Sequence, residues 1–326
     1  MTAPGHAGVA HGVRAWDTHG EQAQPAQKTS GTSITPGRAY GFFTDTTLCI
    51  GCKACEVACK QWNQLPSDGY ELSGHSYDNT RQLGASTWRH VTFIEQFDED
   101  RFAERDFDVF ASLPARVEPW GAFTAGEQWA EPGRRWLLMS DVCKHCVNAP
   151  CLEACPTGSI IRTEFDSVYV QQDVCNGCGY CVPACPFGVV EVAKGGDGKA
   201  HKCTLCYDRL RGGMEPACAN ACPTDSIQFG PVDELVERAK LRTDELRGRG
   251  IPAYLYGTDG VLEDGADTTR LNGLNCFFLL IDRPEVYNLP PVPHRASSAT
   301  GRGLVTSGLA ALGLVAATLW AFAGDR

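Results

Sequence analysis

The stretch Cys175-Asn176-Gly177-Cys178-Gly179-Tyr180-Cys181-Val182-Pro183-Ala184-Cys185-Pro186 sets four cysteines at spacings x2, x2 and x3, with proline after the last. Three other stretches carry the same frame. Cys49, Cys52, Cys55 and Cys59 repeat the spacing unchanged; Cys143, Cys146, Cys151 and Cys155 run x2, x4, x3; Cys203, Cys206, Cys218 and Cys222 run x2, x11, x3. Every group opens on x2 and closes on x3, so the chain contains an internal repeat. The closing cysteine has a second echo in Cys155-Pro156-Thr157-Gly158, Cys185-Pro186-Phe187-Gly188 and Cys222-Pro223-Thr224-Asp225. The first group departs from it, with Lys60 where the others have proline.

These groups hold 16 of the 17 cysteines in a chain of 326 residues. Thiols at that density point to disulfides, zinc or iron–sulfur clusters. Disulfides suit cysteines two residues apart poorly, and the number is odd. Zinc would take pairs of Cys-x2-Cys at finger-like separation and leaves a triplet followed by x3-Cys-Pro without a reason. A four-iron four-sulfur cube needs one thiolate at each iron. A Cys-x2-Cys-x2-Cys loop turns three sulfurs inward around three corners, and in two-cluster ferredoxins the fourth cysteine, followed by proline, ligates the other cluster. The spacing therefore predicts iron–sulfur clusters. Cys276 is left over; the apolar run from Cys276 to Ile281 predicts a buried strand and a core thiol.

The apolar fraction of 43% and charged fraction of 21% are those of a folded globular chain. A net charge of −10, with lysine and arginine scattered, excludes a protein built to neutralise nucleic-acid phosphate. Residues 1–38 lack apolar periodicity and predict a disordered leader; with no apolar run and no paired arginines, a signal peptide is not expected. Residues 39–230 are expected to form the cluster domain, with an insertion over 60–142 that holds strand candidates at Trp88 to Ile94 and Trp136 to Met139. Hairpins are predicted for Ile160 to Thr163 with Val168 to Val170, and for Val189 to Val192 with Ala200 to Lys202. In a following extension over 231–300, Val232, Leu235, Val236, Ala239 and Leu246 predict an amphipathic helix ending near Gly248. Leu304 to Ala323 is 20 residues without a charged side chain, which predicts a transmembrane helix over 303–323. Gly313, Ala317 and Ala321 recur on one face of it, where a second helix could approach closely.

The stretch Phe42-Phe43-Thr44-Asp45-Thr46-Thr47-Leu48-Cys49-Ile50-Gly51-Cys52-Lys53-Ala54-Cys55-Glu56-Val57-Ala58-Cys59-Lys60-Gln61-Trp62-Asn63 resembles the opening of the iron–sulfur (beta) subunits of membrane-bound formate dehydrogenases. These are four-cluster electron-transfer subunits of the molybdopterin oxidoreductase family. Lys202-Cys203-Thr204-Leu205-Cys206-Tyr207-Asp208-Arg209 and Glu215-Pro216-Ala217-Cys218 resemble their fourth group, and the likeness runs from about residue 40 to the end. The resemblance implies an α+β fold of two ferredoxin-like [4Fe-4S] modules, one inserted in the other, plus a single C-terminal transmembrane helix. It also implies crossed ligation. One cluster takes Cys49, Cys52, Cys55 and Cys222, and its neighbour takes Cys203, Cys206, Cys218 and Cys59. The other pair takes Cys143, Cys146, Cys151 with Cys185, and Cys175, Cys178, Cys181 with Cys155. Some relatives lack one of these cysteines and hold a three-iron cluster; this chain has all of them, so four [4Fe-4S] clusters are expected.

A row of clusters passes electrons one at a time, while the protein sets potential and shielding. The sequence has no Gly-x-Gly-x-x-Gly, His-Glu-x-x-His or Gly-x-Ser-x-Gly, so no residue is assigned a catalytic role. His75, His90 and His201 are read as surface or hydrogen-bonded residues. The resemblance implies a molybdopterin-containing catalytic alpha subunit and a membrane cytochrome b gamma subunit as partners; the predicted membrane helix has no histidine or methionine to hold a haem itself. A beta subunit for another substrate (polysulfide, tetrathionate, nitrate or nitrite) and a free-standing polyferredoxin share the cysteine plan. Lys53 lies in the first loop, and Lys144 and His145 in the second, while the third has no basic residue. Positive charge raises a cluster's potential, so the third-loop cluster is expected to be the lower.

Overall fold

The computed structural model describes residues 33–68, 77–78, 80, 82–97, 134–193, 195–258, 271, 273–295 and 300–323. The expected leader, save 33–38, and His75 lie outside them.

The segment before the first cysteine group forms strand β1, Tyr40–Asp45, with every residue buried. It is the pivot of a four-stranded sheet of order β8-β1-β10-β9. Strand β8, Ile227–Pro231, runs antiparallel to β1, whereas β10, Cys276–Leu280, runs parallel to it and carries β9, Tyr254–Tyr256, on its far side. A parallel pair needs a crossover. Here the crossover contains all four cysteine groups, so the sheet joins the chain before them to the chain after them. Strand β10 is buried along its whole length, as its uninterrupted apolar run predicts. Cys276 within it is fully buried, and burial pushes its thiol up to about 12. Across the sheet Phe43 stacks on Phe277 and Tyr40 on Phe229, at ring-centroid distances of 5.6 and 5.7 Å.

The helix Val232–Gly248 turns Leu235, Ala239, Thr243 and Leu246 inward, the face its periodicity predicts. Arg242 on this helix donates from Nε to the fully buried Asp45 at 3.0 Å and from Nη2 to Thr47 Oγ1 at 3.3 Å. The helix is thereby fastened to the turn that leads into the first cysteine group.

Strands β2, Arg89–Phe97, and β3, Arg134–Val142, pair antiparallel from Arg89 opposite Val142 to Phe97 opposite Arg134. Both run past the expected ends, because their outer halves (Glu95, Gln96, Arg134, Arg135) carry no apolar signal. Two short hairpins follow, β4 Ile160–Arg162 with β5 Val168–Val170, and β6 Glu191–Val192 with β7 Ala200–His201. Both stand where the sequence predicts them, although Val189 and Val190 are buried just ahead of β6 rather than in it.

Single helical turns at Pro150–Glu153, Cys181–Ala184 and Ala217–Asn220 lead to three of the closing cysteines. The fourth closing cysteine, Cys59, lies inside the longer helix Ala54–Trp62. That accounts for Lys60. Proline there would remove a hydrogen bond and clash with the preceding turn.

The last segment forms the helix Thr300–Ala323, of 24 residues, and begins three residues before the expected start at 303. Its described side chains, 304–318, are exposed. The transmembrane expectation is corrected here: among the described residues no helix is long and apolar enough to cross a membrane. Glycine, serine and threonine dilute its apolar character.

Candidate functional site

All four Cys-x2-Cys loops share one backbone feature. The second spacer residue is left-handed in each: Gly51 at φ 67°, His145 at 43°, Gly177 at 72° and Leu205 at 58°. This turn swings the two flanking thiols to the same side. Glycine adopts it freely, whereas histidine and leucine hold it at a cost of about 1–2 kcal/mol each. The Cys-Pro echo has its own left-handed residue three places after cysteine, at Gly158, Gly188 and Asp225. The repeat is thus one of conformation as well as spacing. Gly51 and Gly177 could have signalled it from the sequence; His145 and Leu205 could not.

The loops gather cysteines across groups. A cavity of about 290 Å³, partly open to solvent, is lined by Cys49, Cys52 and Cys55 of the first group together with Cys222 of the fourth. A second, of about 310 Å³, is lined by Cys143, Cys146 and Cys151 with Cys185 of the third group. Two further gatherings are visible in how the thiols act on one another. Burial, then Cys175, Cys155 and Cys178 beside it, push the Cys181 thiol up to about 11. Burial raises Cys203 well above its ordinary value, helped by Cys59, Cys143, Cys206 and Cys218. The two cavities thus bring together cysteines that lie in different groups along the chain. Cys52 and Cys178 are exposed; the other grouped cysteines are buried or half-buried.

The seventeen cysteines are all free thiols. Among the described residues no three His, Cys, Asp or Glu side chains converge closely enough to hold a single metal ion. In the two cavities the thiols ring a space instead. Donors are ready around the sulfurs. Leu205 N–H reaches Cys203 Sγ at 3.4 Å, Ala200 N–H reaches Cys175 Sγ at 3.5 Å, and Ser140 Oγ shares a 3.3 Å hydrogen bond with Cys55. Burial would raise Cys155, but the hydroxyls of Ser159 and Thr157 outweigh it and bring the thiol down to about 6. Such donors favour thiolate, the form that binds metal.

Two buried cations complete the site; Arg89 carries no signal in the sequence, and Lys202 enters it only as the residue before Cys203. Arg89, at the start of β2, donates from Nη1 to Ser140 O at 3.2 Å and from Nη2 to Cys218 Sγ at 3.3 Å, with its guanidinium 4.7 Å over the Phe42 ring. Lys202 donates to Val168 O and, at 3.0 Å, to Cys203 O. Burial opposes both charges; for Arg89 the thiols of Cys218, Cys55 and Cys203 more than restore it, and for Lys202 those of Cys143, Cys151 and Cys203. Among the described residues no carboxylate stands with the groups that act most strongly on either. A buried cation without an anion costs several kcal/mol. A cubane with four thiolates carries about two negative charges, so the donor set and its surroundings fit that group.

The basic residues of the loops are placed differently. Lys53 is ion-paired with Asp78 at 3.1 Å and Glu56 at 3.4 Å, and the buried Lys144 is paired with Asp141. Neither offers the uncompensated charge that the redox expectation assumed. His90 is buried on Asp78 at 2.6 Å, and His201 meets Asp197 at 2.9 Å near the surface, so both are hydrogen-bonded as expected.

Family models described as 4Fe-4S dicluster domains match residues 48–159 and 134–232. Over 307 residues the protein is 34% identical to a formate dehydrogenase iron-sulfur subunit of Haemophilus influenzae, covering 90% of this chain and 82% of that one. It is likewise 34% identical to the nitrate-inducible formate dehydrogenase iron-sulfur subunit of Escherichia coli, over 83% of this chain and 79% of the relative. The B subunit of the anaerobic dimethyl sulfoxide reductase of Escherichia coli is 31% identical over 60% of this chain and 75% of its own length.

Proposed function

We propose, for a chain that belongs to the iron-sulfur subunits of the formate dehydrogenase family, that its sixteen grouped cysteines hold four [4Fe-4S] clusters in one row. The family transfers electrons through such clusters, and each cluster, when bound, accepts and releases one electron. The observation that carries the count and the ligand sets is the cavity whose thiols come from two groups, Cys49, Cys52 and Cys55 with Cys222. The second set is Cys59, Cys203, Cys206 and Cys218, the third Cys143, Cys146, Cys151 and Cys185, and the fourth Cys155, Cys175, Cys178 and Cys181.

The order of the row follows from which thiols of different sets act on each other. Cys55 and Cys218 join the first set to the second, Cys203 and Cys143 the second to the third, and Cys151 and Cys181 the third to the fourth. The exposed Cys52 and Cys178 then belong to the two terminal sets, where electrons enter and leave. The inner sets are shielded from water.

Formate oxidation itself falls to a molybdopterin-containing catalytic subunit, since this chain contributes no group suited to it. The uncharged run from Leu304 to Ala323 is the natural contact for a membrane cytochrome b partner that takes the electrons onward. The formate reading is favoured over the dimethyl sulfoxide one because likeness to the formate relatives covers 90% of the chain against 60%. The expected result is that the complex purified through this chain reduces a viologen dye with formate, whereas the isolated chain does not. A complex that reduces dimethyl sulfoxide and is inert to formate would overturn the assignment.

A further inference from the structure

We infer that Arg89 and Lys202 are redox-positioning residues, one at each of the first two junctions of the row, where a single fixed charge acts on two clusters together. The inference rests on the four-cluster reading. Arg89 reaches Cys218 Sγ of the second set while its other nitrogen holds Ser140, whose hydroxyl bonds Cys55 of the first. Lys202 precedes Cys203 of the second set and donates to its carbonyl, and on the other side it donates to the carbonyl of Val168, which lines the cavity of Cys143, Cys146, Cys151 and Cys185, the third set. Each side chain is at most 2% exposed.

The contrast with the other lysines is what singles these two out. Lys53 and Lys144 lie inside the cysteine loops, yet Glu56, Asp78 and Asp141 cancel their charge. Among the described residues no carboxylate stands with the groups that act most strongly on either junction cation. Arg89 also keeps a buried Nε–H without a partner. Evolution of a merely structural cation would be expected to supply a carboxylate, because breaking or omitting one partner of a buried pair is strongly destabilising. A cluster gains one negative charge on reduction. A cation at a junction therefore favours reduction on both sides and offsets the repulsion that an electron on one cluster exerts on the next. It lets neighbouring clusters be reduced together.

The test uses the full chain in its complex, with iron and sulfide counted first and midpoint potentials then read by electron paramagnetic resonance during a redox titration. In Lys202→Met, two of the four potentials should fall, those of the second and third clusters. The ratio of reduced to oxidised cluster at fixed potential should drop about tenfold, which is about 59 mV for a one-electron centre. The other two clusters should move less, and Lys202→Arg should restore all four. Arg89→Gln should lower a different pair, the first and second, with Arg89→Lys as its rescue. A methionine variant that loses iron while the arginine variant keeps it also supports the role of charge. Four unmoved potentials would overturn the inference, as would equal shifts in the methionine and arginine variants, or iron loss in both. A wild-type chain short of four clusters would instead sink the four-cluster reading, and that is settled before any variant is compared.

Discussion

Replacing Cys59 with serine should strip the second cluster and leave the first intact, although Cys59 belongs to the first group by sequence. The helix Ala54–Trp62 carries Cys55 and Cys59 one turn apart, and in the proposed row the two thiols serve different sets. Cys55 lines the cavity with Cys49, Cys52 and Cys222. Cys59 is buried among Cys218 and Cys206, which with burial raise its thiol above the ordinary range. Loss of a direct ligand should weaken the cluster by more than the roughly 10–100-fold that an outer partner is worth. About four irons should go. The pattern of loss is the decisive part. Cys59→Ser and Cys203→Ser should abolish the same paramagnetic signal and together cost no more iron than either alone. Cys59→Ser with Cys49→Ser should abolish two signals and cost about eight irons. If Cys59→Ser and Cys49→Ser remove one and the same signal, ligation is not crossed.

The second large effect is expected far from any thiol. A methyl group at Gly41 would lie 1.6 Å from the carbonyl oxygen of Asn275 and 2.6 Å from its carbon. That oxygen is the acceptor for Phe42 N–H at 3.0 Å. Asn275 is also the node between the sheet and the second cysteine loop. Its Nδ2 donates to Asp166 at 2.8 Å, and Cys276 N–H beside it donates to Lys144 O at 3.0 Å. Because the obstacle is backbone, it cannot turn aside, and Gly41→Ala should cost about 3 kcal/mol or more. Gly248→Ala is the control. Nothing lies within 4 Å of its added methyl, and the position closes the helix Val232–Gly248. It should be neutral or stabilise by about 0.4–1 kcal/mol. Denaturant midpoints and iron retention should separate the two; a Gly41→Ala chain that keeps wild-type values would contradict the close approach of β1 to the start of β10.

The cysteine plan was legible because cluster chemistry fixes its spacing, and the short hairpins were legible because both partners lie close in sequence. The central sheet was not. The run Cys276 to Ile281 marks β10 as a strand, but nothing local pairs it with Phe42 and Phe43, and β8, far along the chain, leaves no mark of its own. The β2–β3 hairpin shows only its apolar half. Lys53 and Lys144 look like tuning charges because a sequence displays a lysine beside a cysteine, but not the carboxylates of Asp78 and Asp141 that fold onto them. Arg89 gives no signal at all, because a lone arginine at the start of a strand reads as surface. Its burial against Cys218 is a product of tertiary packing. The terminal helix forms as its pattern predicts, but among the described residues it is not long and apolar enough to cross a membrane.

Iron and acid-labile sulfide, counted per chain in anaerobically purified full-length protein, test the four-cluster row most directly. Four filled cages require about sixteen of each. About eight of each, zinc in place of iron, or cysteines recovered as disulfides would contradict it.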